Sequence, residues 1–201
     1  REILSNGIDL RLSTNLKEII SDEIGQVKSV IIEETGEEIH CNMLGLTAGV
    51  SPNINFIRDS EIETGKGVKV NRFLETNISN IYAIGDCAEQ HVAIGSRRPI
   101  EAVWYTGRMM GETVAQTVCG NRLEYKPGHW FNSAKFMDID YQTYGWVWAQ
   151  PDEHEKRLYW EHKSGKKCSH ISYDKKNTEF IGMKTFGIRM RQDTFDRMLT
   201  T

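Results

Sequence analysis

Long apolar runs are missing from this 201-residue sequence, whose mean hydropathy is −0.50. None approaches the roughly 18 residues that a membrane-spanning helix needs, so a transmembrane helix is excluded. A surplus of one charge is missing too: 25 Lys and Arg face 28 Asp and Glu, a net charge of −3. Without a basic face to neutralise phosphates, no nucleic-acid partner is expected. Proline, at 4 residues, and glycine, at 17, are too few for a disordered or collagen-like chain. Only four cysteines occur, Cys41, Cys87, Cys119 and Cys168, and no two stand at a C-x-x-C spacing. That removes the basis for a paired-ligand zinc site or a redox-active disulfide in this stretch. With no charged-then-apolar leader to indicate secretion, the cysteines are read as reduced and the protein as cytoplasmic. Finally, there is no G-x-G-x-x-G phosphate loop; Gly65-Lys66-Gly67 fails at the third glycine.

What remains is a soluble-protein composition, 39% hydrophobic and 26% charged. Three segments are predicted, 1–50, 51–125 and 126–201. In the first, Ile8-Asp9-Leu10-Arg11-Leu12 alternates apolar and polar side chains like a strand. Val27 to Glu33 and Glu38 to His40 predict two more strands. Met43 to Ala48 is apolar at nearly every position, as a strand buried on both faces would be. Gly67 to Asn71 and Asn80 to Asp86 repeat the pattern in the second segment. Pro99 predicts a helix starting near Ile100, and Gly120 closes it. In the last segment strands are predicted over 157–162, 169–173 and 179–186, with a closing helix over 192–199. That is an antiparallel sheet with a helix, an α+β unit.

The chemistry concentrates in Thr76-Asn77-Ile78-Ser79-Asn80-Ile81-Tyr82-Ala83-Ile84-Gly85-Asp86. A strand ending in Gly-Asp sets a carboxylate at the edge where open α/β sheets bind ligands. Gly85 lets the backbone approach a ligand, and Asp86 can accept hydrogen bonds from a sugar or ribityl hydroxyl. A Gly-Asp pair is by itself an ordinary turn. The stretch resembles the second flavin-binding motif of the FAD-dependent pyridine nucleotide-disulfide oxidoreductase family. Thr47-Ala48-Gly49-Val50-Ser51-Pro52-Asn53 is similar to that family's turn linking the nicotinamide domain back to the flavin domain. Ile100-Glu101-Ala102-Val103 followed by Gly107 and Gly111, and Trp130-Phe131-Asn132-Ser133, resemble the rubredoxin and ferredoxin reductase and apoptosis-inducing-factor branch.

The resemblance implies a fold class, α/β plus α+β: partial FAD- and NAD(P)-binding doubly wound domains, then an antiparallel-sheet C-terminal domain. It implies an oxidoreductase passing hydride from NAD(P)H to FAD and electrons on to an acceptor. That acceptor could be a ferredoxin- or rubredoxin-like protein, a quinone, oxygen or a disulfide. Asp86 and Gly85 would bind the ribityl chain. The backbone N–H groups of Ala102 and Val103 would face the pyrimidine edge of the flavin, and Trp104, Trp130 or Phe131 would lie near its ring. Thr47, Gly49 and Glu101 complete the expected site, although an acid at position 101 also simply suits a helix N-terminus.

Both phosphate loops of the family precede the segment matched here, so the chain is expected to be the C-terminal portion of a longer enzyme, inactive alone. Exposed strand edges would then favour a homo-oligomer. The alternative is a flavin-free binding or dimerisation module. His91, His129, His154, His162 and His170 are candidate metal ligands by type, but no carboxylate or third histidine stands at a ligand spacing and no metal site is expected. The lysines and arginines from Lys163 to Arg197 are read as solvated, with docking of an acidic electron carrier as the alternative.

Overall fold

A computed structural model describes residues 1–95 and 97–200. The chain divides into two compact units, residues 1–50 and the residues from 51 onward. The first begins with one helical turn, α1 (Glu2–Ser5), ahead of an antiparallel sheet. Its strands β1 (Leu16–Ser21), β2 (Val27–Ile32) and β3 (Glu38–His40) lie in that order. Asp22 shapes the first hairpin, because its Oδ1 accepts the N–H groups of Ile24 and Gln26 at 3.0 and 2.9 Å. β2 and β3 match the sequence pattern.

Two expectations for this unit are overturned. Residues 8–12 form no strand; Arg11 instead bridges Asp9 and Glu37 at 2.9 and 2.6 Å, and the ladder begins at Leu16. Residues 43–48 form no strand either, with Met43 87% and Leu46 69% exposed. A strand apolar on both faces needs a neighbour on each side, and none of the described strands pairs with it.

In the second unit β4 (Val68–Val70) runs parallel to β5 (Ala88–Gln90). Val70, Leu74 and Ala88 are fully buried and pack with Ile54, Ala83, Met110 and Tyr125. The predicted strand over 80–86 is corrected: it makes only the isolated bridge between Glu75 and Tyr82, then a 3-10 turn at Gly85–Cys87. Ile81 and Ile84 are each 39% exposed for the same lack of neighbours. Helix α2 (Trp104–Val118) buries Thr106, Met110 and Thr113, a single stripe at helical spacing. It starts four residues later than predicted, since Val103 is extended at φ −137°. The predicted stop holds, with Gly120 at φ +93° just beyond the helix.

A five-stranded antiparallel sheet completes the unit. Its strands are β6 (Phe131–Phe136), β7 (Ile139–Gly145), β8 (Glu155–Glu161), β9 (Cys168–Asp174) and β10 (Phe180–Phe186), in the order β6-β7-β10-β9-β8. β6 and β7 escaped the sequence reading because a two-residue loop joins them, with Met137 rather than glycine at positive φ. Helix α3 (Gln192–Thr200) covers one sheet face through Phe195, 2% exposed, which stacks on Tyr144 at 4.3 Å. Burying such a ring contributes about 1.5–3 kcal/mol.

Two features here give measurable consequences. Gly145 (φ +66°) faces Gly182 across β7 and β10, and a Cβ on Gly145 would lie 2.9 Å from the Gly182 Cα and closer still to the Ile181 carbonyl oxygen. Gly145→Ala should therefore cost about 3 kcal/mol in urea unfolding, against about 1 kcal/mol for Gly120→Ala, whose surroundings are open. Glu75 receives Arg122 Nε and Nη2 at 2.9 Å each and Asn71 Nδ2 at 2.8 Å. Arg122 and then Asn71 hold the Glu75 carboxyl well below its ordinary range, at about 2. A depressed carboxylate stabilises the fold above its unfolded value and loses that contribution as pH falls. Unfolding free energy should therefore decline between pH 4.5 and about 2, with a shallower decline in Glu75→Gln.

Candidate functional site

The Gly85–Cys87 turn and the first turns of α2 are in close contact. A Cβ on Gly107 would lie only 3.4 Å from the Gly85 Cα, so the absence of side chains on both residues permits this approach. The Gly85 N–H points at Met110 Sδ, 3.3 Å away. Gly85 sits at φ +74° with nothing within 4 Å of where its Cβ would be, and Asp86 beside it is exposed. No side chain caps α2. Its first-turn N–H groups therefore form a partial positive charge beside an open backbone cradle and a free carboxylate. These are the donors and acceptor that a polyhydroxyl chain joined to an electron-rich ring requires, so the residues present fit that part of FAD.

The structure places the other expected residues unevenly. Ala102 is exposed, and the Val103 N–H is already given to the Glu101 carbonyl at 2.9 Å. Because α2 starts at Trp104, its first-turn N–H groups are those of Trp104, Tyr105 and Thr106 rather than of Ala102 and Val103. The Trp104 side chain is 68% exposed, edge-on to Tyr105, with Arg108 over its ring. Trp130 and Phe131 diverge, as neighbours along an extended chain do. Phe131 packs on Tyr105 at 5.0 Å, and the Tyr105 hydroxyl meets Ser133 Oγ at 2.7 Å, tying α2 to β6. Trp130 instead stacks on Trp146 at 4.6 Å, and Trp146 on Trp148 at 5.1 Å. Thr47 and Gly49 belong to the first unit and are exposed.

Glu101 is 8% exposed, and its Oε2 lies 2.6 Å from Arg97 Nη1 and 3.3 Å from Thr106 Oγ1. It is a buried ion-pair partner rather than an open helix-terminal acid. Sequence reasoning missed Arg97, although the i,i+4 spacing of Arg97 and Glu101 around Pro99 was visible. Gln90 Nε2, Arg97 Nε, Glu101 Oε1 and the Tyr125 hydroxyl are buried without a hydrogen-bond partner. All four residues line one cavity of about 10 Å³, close to the size of a water molecule. A larger cleft of about 550 Å³ lies beside the tryptophan stack, lined also by His129, Asp152, His154 and Glu155. The basic residues do not gather. Lys163, Lys166 and Lys167 sit on the β8–β9 turn, Lys175 and Lys176 on the β9–β10 turn at the other end of the sheet.

Compared with known proteins, residues 1–116 match the pyridine nucleotide-disulphide oxidoreductase family. The chain belongs to that family. Its members are FAD- and NAD(P)H-dependent oxidoreductases. Among relatives, the chain is 33% identical over 89 residues to a rubredoxin-NAD(+) reductase of Acinetobacter baylyi, covering 44% of this chain and 22% of that protein. It is 28% identical over 156 residues to the ferredoxin reductase subunit of a 5,5'-dehydrodivanillate O-demethylase from Sphingobium, covering 77% and 36%. The fold resembles the ferredoxin reductase for the CYP199A2 system of Rhodopseudomonas palustris, with a TM-score of 0.76 and 20% identity over 92% of this chain and 44% of that one. The chain thus spans less than half the length of these proteins. The α/β plus α+β character read from the sequence is that of the family.

Arg97 gives the site its testable weak point. Removing one partner of a buried ion pair strands the other charge, which costs about 3–5 kcal/mol. Arg97→Gln should lower urea-unfolding stability by that amount, whereas Arg108→Gln, at an exposed pair, should change it by under about 1 kcal/mol.

Proposed function

We propose that this chain forms the flavin-facing C-terminal portion of an NAD(P)H-dependent FAD oxidoreductase that delivers electrons to a ferredoxin- or rubredoxin-like protein. The observation that carries this reading is the open Gly85-Asp86 turn lying against the uncapped N-terminus of α2. When bound, FAD accepts hydride from the nicotinamide and releases electrons to the acceptor. The chain's own contribution is positioning and electrostatics. Asp86 accepts hydrogen bonds from ribityl hydroxyls. The N–H groups of Trp104, Tyr105 and Thr106 offset negative charge on the pyrimidine edge, as a helix N-terminus does for any anion. Tyr105, held by Ser133 and Phe131, keeps that helix terminus against the sheet.

The phosphate loops that hold the rest of FAD and the nicotinamide belong, in this reading, to the part of the enzyme the sequence does not cover. The acceptor class rests on the names of the rubredoxin and ferredoxin reductases it resembles; a quinone, oxygen or a disulfide would use the same flavin.

Absorption spectra test the proposal. The chain is purified alone and together with any coding sequence that lies ahead of it in the gene, then given NADH or NADPH without oxygen. A flavin band that bleaches with one of the nucleotides is expected in the longer protein. Asp86→Ala should weaken flavin retention about tenfold, the loss of a hydrogen bond to a charged group. Absence of flavin from the longer protein would overturn the reading.

A further inference from the structure

Where β8 begins, three side chains of metal-ligating type converge on residues other than the Gly85-Asp86 turn and the N-terminus of α2. Asp152, His154 and Glu155 each bring one ligand atom within 4.8 Å of the other two. The backbone explains the convergence: the Glu155 N–H donates to the Asp152 carbonyl at 3.0 Å, closing a tight turn. The His154 carbonyl accepts the Lys175 N–H at 2.9 Å, which pins the turn to the end of β9. No metal site is expected from the sequence, where His154 is one of several scattered histidines, and the turn is what brings Asp152 and Glu155 to it.

A second observation comes from Glu155 itself. It is 6% exposed, and its Oε2 accepts no hydrogen bond. The nearest cation is Arg157, whose Nη2 lies 3.6 Å away, beyond hydrogen-bond distance. Arg157 instead donates to the carbonyls of Trp148 and Ala149 at 2.7 and 3.1 Å. A buried carboxylate oxygen that has only this long ion pair with Arg157 and no hydrogen bond is under-compensated, and a further cation at that oxygen would offset the remainder. Two carboxylates face the Arg157 guanidinium, and the Lys175 ammonium turns to the Glu153 carbonyl on the same turn. Asp152 and His154 are exposed and line the 550 Å³ cleft beside Trp146 and Trp148, so an ion and its waters have a path.

We propose that Asp152, His154 and Glu155 bind a divalent first-row transition-metal ion, with water completing its coordination toward the cleft. One imidazole and two carboxylates suit zinc, cobalt or manganese, whereas calcium and magnesium take oxygen ligands alone. None of the three residues is used in the flavin reading, although the cleft they line also borders Arg97 and Trp130.

Titration of the chain with Co²⁺ tests it through the visible d–d bands of the ion. One equivalent should bind, without the intense charge-transfer band of a thiolate ligand. His154→Ala and Asp152→Asn, both at exposed positions, should each weaken binding about tenfold or more while melting like the parent without metal. His162→Ala, on the β8–β9 turn, should bind as the parent does. No saturable uptake, binding indifferent to His154→Ala, or a thiolate charge-transfer band would each overturn the proposal.

Discussion

Arg97 is the interaction on which the second unit depends. Its guanidinium pairs with buried Glu101, approaches the carbonyls of Pro127 and His129 at 3.5 Å, and lies 5.5 Å from the centre of the Trp130 ring. One charged plane thus joins the segment leading into α2 to the segment leading into the five-stranded sheet. Only arginine combines a fixed fork of donors with a face that stacks on an indole. Because the pair is almost without solvent, its geometry is held far more tightly than a surface ion pair would be.

The consequence is a helix terminus held in position from two directions. Glu101 bonds Arg97 and the Thr106 hydroxyl in the first turn of α2, and Tyr105 anchors that turn to Ser133 and Phe131 on β6. Gly107 then lets the helix lie against Gly85. In the function proposed above, such a fixed helix dipole is what would act on the cofactor. The opposite side of Arg97 supports the stack of Trp130, Trp146 and Trp148, ended by Arg98 at 5.3 Å from the Trp148 ring centre.

Much of this was legible in particular residues. The β-branched run of Val27 to Ile32 and the helical spacing of Phe195, Met198 and Leu199 mark a strand and a closing helix that the structure contains. The Gly85-Asp86 turn was located by its motif. Two of the errors share one cause. Residues 43–48 and 80–86 are apolar on both faces, which marks strands for a sheet interior, yet a ladder needs hydrogen-bonding neighbours as well as a pattern. The helix start was misplaced because Pro99 satisfies the local rule for a first turn, while the Arg97–Glu101 pair accompanies an extended segment as far as Val103.

The sequence by itself determined the family and the presence of an antiparallel sheet with a closing helix at the end of the chain, because these depend on local motif and periodicity. Only the tertiary structure decided which N–H groups head α2, that Trp130 and Phe131 part company, that Glu101 is buried, and that Asp152, His154 and Glu155 meet. Each of those outcomes depends on contacts, across a turn or between distant segments, whose geometry no local pattern encodes.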